Sequence, residues 1–345
     1  MIGIDIQHTR KLIAYTPIIV LFGVSILLVW INFDRLVYFT TPKIPEMLIA
    51  TKENQKLAPA GMEVTFRTKN IELNKAPVIY KNTSNNKLTE AKTGNIASVF
   101  GFSGQSEQAK GETSVWRENK EVLTINKKNK LLNYSNNFSG AELAGYPSLD
   151  LGQTKLALKD LYQKLGFSSG FVNFDSPQSA LYKKLINIDG AEENISPSEA
   201  NYVTLIYPFL INKQPLVASY PSILRVKATY GKGGKLVYLQ TPIIFGDWQQ
   251  DIKYSGLSED GIKSELSKGK ATLVKYDPVI HKSYPKVDPV NSIEITSIKS
   301  AYLYPTADYL YLVPIYIIEA DGVTEPGTLI KTTFYLPAFS SALFK

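Results

Sequence analysis

The run LGQTKLALKDLYQKLGF, residues 151–167, decides how the rest of the chain is read. Leu151, Leu158, Leu161, Tyr162 and Leu165 fall at the spacing of one helix face, and Gly166 supplies a stop. Such a helix needs a surface to cover, and the flanking sequence offers sheet. Tyr, Ile, Val and Thr dominate the apolar positions, and Gly and Pro interrupt them often. VLTINKKNKLLNY, residues 122–134, alternates on both sides of a Lys/Asn turn and reads as a hairpin. SILRVKATYGKGGKLVYLQ, residues 222–240, reads as another, turning through Gly231–Gly234. A helix packed on a small antiparallel sheet is the expected unit, so the expected fold class is α+β.

Two more helices are expected. Residues 87–100 place Leu88, Ala91, Ile96 and Val99 at helical spacing before Gly101. SEDGIKSELS, residues 258–267, opens with Ser258 as N-cap and acids in its first turn. The first helix ends Phe100-Gly101-Phe102-Ser103-Gly104, and residues 165–170 repeat the pattern as Leu165-Gly166-Phe167-Ser168-Ser169-Gly170. Asn129–Tyr134 parallels Gly234–Tyr238 in a returning strand. These echoes point to an internal repeat of helix-on-sheet modules. The expected division is 57–145 and 146–250 as two α+β modules and 251–345 as a β-rich module.

Upstream, Leu12–Phe33 reads LIAYTPIIVLFGVSILLVWINF, 22 residues without a charge. As a helix it would span about 33 Å, enough for a bilayer core of roughly 30 Å. A cleaved signal peptide would have a shorter apolar core and a small-residue cleavage site, and INFDRLVYFTTP has no such site. The expectation is an uncleaved single-pass transmembrane helix over 12–33. Arg10 and Lys11 place the tail 1–11 in the cytoplasm, 34–56 becomes a connector, and 34–345 lie outside the cell membrane. Removing Arg10, Lys11 and Asp5 from the totals leaves a net charge of +6 outside, spread without a basic cluster beyond Lys127–Lys130. Nucleic acid is therefore not an expected partner.

The helix LALKDLYQKLGF followed by SILRVKATYGKGGKLVYLQ resembles the PepSY-type unit. The ending IEITSIKSAYLYPTADYLYLVPIYIIEADG with TTFYLPAF is similar to the C-terminal part of the membrane-anchored YycH and YycI regulators. The resemblance spans about residues 75–340 and lies in pattern and order rather than in invariant residues. It implies tandem PepSY-like modules, an extracytoplasmic regulatory role and no enzyme chemistry.

The residues themselves carry few signs of catalysis. The chain has no cysteine and two histidines, His8 and His281, which the expected topology puts on opposite sides of the bilayer. No catalytic residue, cofactor or metal is expected. One acidic pattern stands out: Asp247, Trp248 and Asp251 after the strand TPIIF, with Glu259 and Asp260 close behind. An acid beside an aromatic at a strand end suits a sugar site, and glycosidases need two carboxyl groups roughly 5–10 Å apart. The same pattern also suits a turn beside a half-buried tryptophan. Tyr302, Tyr304, Tyr309 and Tyr311 crowd the closing strands, either as core or, with Trp248, as a partner-binding face. The leading expectation is a non-catalytic binding or regulatory protein acting through another envelope protein or a peptide. The alternatives are a glycan-directed envelope hydrolase near Asp247 and a structural component of a surface or secretion assembly.

Overall fold

The computed structural model describes residues 58–340, apart from 68–70, 72, 84–86, 110–111, 138–148, 186–191, 219–223, 279–287 and 305–310. Among the described residues strands dominate, eighteen of them against three α-helices. In chain order they begin β1 (Glu63–Phe66), β2 (Val78–Asn82) and α1 (Glu90–Val99), then β3 (Glu107–Ala109), β4 (Thr113–Glu118), β5 (Glu121–Asn126) and β6 (Leu131–Asn136). Helix α2 (Leu151–Lys164) precedes β7 (Ser179–Leu185), β8 (Glu192–Asn194), β9 (Tyr202–Pro208), β10 (Leu210–Ile211) and β11 (Gln214–Val217). Next come β12 (Arg225–Gly231), β13 (Lys235–Pro242), β14 (Trp248–Lys253), α3 (Glu259–Ser267) and β15 (Thr272–Pro278). The chain then closes with β16 (Val290–Leu303), β17 (Tyr311–Thr324) and β18 (Leu329–Pro337).

Each helix begins and ends for a reason visible in its residues. Thr89, Asp150 and Ser258 are the N-caps, each side chain accepting from a backbone N–H three residues on. Gly101, Gly166 and Gly269 follow the helices at φ of 90°, 68° and 66°. Behind each, two backbone bonds close a Schellman motif: Phe102 N to Ala97 O with Gly101 N to Ser98 O, Phe167 N to Tyr162 O with Gly166 N to Gln163 O, and Lys270 N to Glu265 O with Gly269 N to Leu266 O. Phe102 and Phe167, one residue past the glycines, are both buried. The echo between residues 100–104 and 165–170 is thus one capping motif used twice.

The first sheet has the order β3-β4-β5-β6-β13-β12-β9-β7-β8. A helix followed by four main strands occurs twice, as α1 then β3 to β6, and as α2 then β7, β9, β12 and β13. The two last strands lie side by side and antiparallel, with Tyr134 opposite Leu239 and Leu132 opposite Thr241. The order is therefore symmetric about the β6–β13 seam. One cross-sheet row, Trp116, Leu123, Tyr134, Leu239, Ala228 and Leu205, faces the same core as Ile96 of α1 and Leu158 and Tyr162 of α2.

The second sheet runs β10-β11-β16-β17-β18-β15, with β1 parallel to β16 and β2 between β14 and β17. Its core gathers Ile293, Ile295, Ile318 and Phe334 against Ile262 and Leu266 of α3. The β16–β17 hairpin belongs to both cores. Its base lies in this one, while Tyr302, Tyr304 and Leu312 near its tip join the core of the first sheet.

Three expectations are corrected. The fold class is mainly β rather than α+β, because the segments between the three helices all pair as strands. The tandem helix-on-sheet modules are not separate sheets: β6 pairs along β13, so their strands merge into one. Among the described residues no helix is long and apolar enough to cross a membrane. The longest, α2, has 14 residues and reaches about 21 Å. No described helix therefore supplies the span on which the N-terminal transmembrane helix, the single-pass topology and the cell-membrane placement with 34–345 outside were expected. Residues 12–33 themselves, like His8, His281 and Tyr309, lie outside the described residues.

Candidate functional site

The turn that caps α2 does more than end a helix. Beyond Gly166 the chain runs antiparallel to the segment after β13, with a bridge between Phe167 and Phe245 and their rings 5.4 Å apart, edge to face. Ser168 fixes the alignment twice: its N–H donates to Ile244 O at 2.7 Å and its hydroxyl to Gly246 O at 2.5 Å. From the other side β2 holds the same segment. Asn82 Nδ2 donates to Phe245 O at 2.9 Å, and the Thr83 N–H and hydroxyl both donate to Asp247 O. The chain then enters β14 at Trp248, opposite Asn82.

Two residues along β2, on the same face as Asn82, Tyr80 presents its hydroxyl. It accepts from Asn212 Nδ2 at 2.6 Å and from Gln250 Nε2 at 3.4 Å. Asn212 reaches it from the two-residue turn between β10 and β11, where Asn212 and Lys213 have φ of 49° and 70°. Between these elements lies a pocket of about 600 Å³. Its walls are aromatic, from Tyr80, Phe167, Phe171 and Trp248, and its polar groups come from Ser168, Ser169, Asn212 and Asp247. The rings of Phe171 and Trp248 sit 6.2 Å apart at 59°. Trp248 Nε1 is buried and has no hydrogen-bond partner among the described residues. Asp247 is exposed, and its carboxylate has no ion pair or hydrogen bond among the described residues.

The expected partner face is not assembled as a face. Tyr302 and Tyr304 are buried, Tyr302 edge-on to Tyr80 at 5.6 Å and Tyr304 donating to Ile243 O at 3.2 Å. Burial pushes the hydroxyls of both above the usual tyrosine range. Tyr311 is half-buried beside Lys81, whose ammonium lies 5.8 Å from its ring. Lys81 and Asn82 are neighbours on β2, so Tyr311 and Trp248 stand on opposite faces. Of the four of these residues that are described, Trp248 alone lines the pocket. Of the four acids singled out, Asp247 lines it, whereas Asp251, Glu259 and Asp260 are exposed elsewhere. Tyr80, Phe171 and Asn212 were not legible as site residues. Their sequence signal is one of turn and core, and only the fold brings three segments 80 to 250 residues along the chain together.

No family model matches the chain. No curated protein matches it either. Among solved structures, the crystal structure of an uncharacterized protein from Eubacterium rectale ATCC 33656 is similar to it. The two are 10% identical, and the match covers 81% of this chain and 88% of that one, with a TM-score of 0.36.

Proposed function

We propose that this chain is a binding protein that acts through protein or peptide contacts and performs no bond chemistry at its pocket. The observation that carries the reading is the pocket's place at the start of β14, which pairs only with β2 among the described strands. A strand with an unpaired edge offers N–H and C=O groups to an extended segment, and an adjoining pocket selects one of its side chains. Tyr80, Phe171 and Trp248 supply apolar area with little entropy to lose. The resemblance to PepSY-like and YycH- and YycI-like regulators supports the same reading, as does the recurrence of a helix followed by antiparallel strands. The hydrolase alternative finds less support. A single carboxylate, Asp247, lines the pocket, and a glycan hydrolase takes two.

The test is selection of random heptapeptides on the full chain, followed by hydrogen exchange of the complex. Selected peptides are expected to slow exchange in residues 248–253 and to shift the Trp248 indole resonance. Peptides that bind yet leave both unchanged would overturn the reading.

A further inference from the structure

We infer that the pocket takes a basic side chain, a guanidinium above all, from the bound segment; this rests on the peptide reading above. Ser168 already donates its hydroxyl to Gly246 O, and Asn212 donates its amide to Tyr80. Two acceptors are left over on the polar rim, the Asn212 carbonyl oxygen and the Asp247 carboxylate, and the carboxylate is the one charge among the described residues of the lining; the donors left over, the Trp248 Nε1–H and the hydroxyls of Tyr80 and Ser169, are neutral. A guanidinium has only donors, and its flat fork suits a carboxylate.

Charge and ring geometry agree with this. Among the described residues no lysine, arginine or histidine lines the pocket, so none of them neutralises Asp247 from inside it. Phe171 and Trp248, with rings 6.2 Å apart at 59°, put aromatic surface into the same lining as that carboxylate. The adjoining elements already use this contact. Lys92 lies 5.1 Å from the centre of the Phe245 ring, and Lys81 sits over Tyr311. Lys213 follows Asn212 in the turn and Lys81 follows Tyr80 on β2, but neither lysine is part of the lining.

Three heptapeptides test the inference by calorimetry with the full chain: Thr-Val-Thr-Xaa-Thr-Val-Thr with arginine, citrulline or glutamate at the centre. Citrulline keeps the shape of arginine and removes its charge. The arginine peptide is expected to bind at least about tenfold more tightly than the citrulline peptide, a gap of about 1.4 kcal/mol. Asp247→Asn is expected to abolish that gap without moving the Tm, because the Asp247 side chain is exposed and unpaired. Equal Kd values for arginine and citrulline, or a preference for glutamate, would overturn the inference and leave strand addition standing. If none of the three peptides binds or protects β14 from exchange, both readings fall together.

Discussion

Lys213 has a φ of 70°, a left-handed conformation that costs a residue with a Cβ about 1–2 kcal/mol. The turn demands it, since φ is positive at both central positions of a type I′ hairpin turn, as at Asn212 and Lys213. Lys213→Gly is therefore expected to stabilise the chain by about 1 kcal/mol, read as a shift in the urea midpoint at unchanged slope. Asn212 tolerates the same region better, and its amide is committed to Tyr80. The turn went unread in the sequence because Ile211-Asn212-Lys213-Gln214 contains no glycine. Gly256 is the opposite case. A Cβ there would lie 2.0 Å from the Asn74 carbonyl oxygen, and that atom is backbone. Gly256→Ala is expected to cost about 3 kcal/mol or more, visible as a large drop in Tm.

At the scale of elements, the helices were the legible part. Caps and stops are local, so Ser258, Gly101 and Gly166 could be read in place, and the observed helices start and end beside them. The pairing of β6 with β13 was not legible, because alternation along a strand does not name a partner about a hundred residues away. This is why two expected modules became one sheet and why the fold class shifted toward β. The pocket suffered the same limit: Asp247 and Trp248 announced themselves, while Tyr80 and Asn212 did not. The shared capping motif makes a specific forecast. Gly101→Ala and Gly166→Ala should each destabilise by about 1 kcal/mol, and by similar amounts, since neither Cβ meets an atom within 4 Å and φ alone sets the cost. Thermal melts of the two variants side by side check this.

For the molecule as a whole, the β16–β17 hairpin rules out independent cores. Ile293 and Ile318 anchor it in one, Tyr302 and Leu312 in the other. Leu266→Ala, in the core under α3, is accordingly expected to lower the melting transition reported by Trp116 in the other core, by an amount corresponding to about 2–5 kcal/mol. Two separate transitions would contradict it. Tyrosine burial sets the alkaline limit. Burial pushes the hydroxyls of Tyr134, Tyr207, Tyr254 and Tyr316 up to about 12, from an ordinary 10. The neutral form is the one the fold favours, so this stability is complete below pH 10. It is lost as the pH rises through about 12. Circular dichroism and tyrosinate absorbance followed across that window should change together.

The seam between β6 and β13 has one more consequence. Had the helix-and-four-strand half been made as a separate chain, its last strand would be an open edge, best closed by the same edge of a second copy about a two-fold axis. Here that dimer is contained within one polypeptide. Within one chain the two halves need not be identical, and they are not. Of the two equivalent turns past Gly101 and Gly166, the second lines the pocket of about 600 Å³ and the first does not. Two identical halves would carry such a cavity in duplicate; unlike halves can place one beside one of the two turns, which gives the sheet a direction.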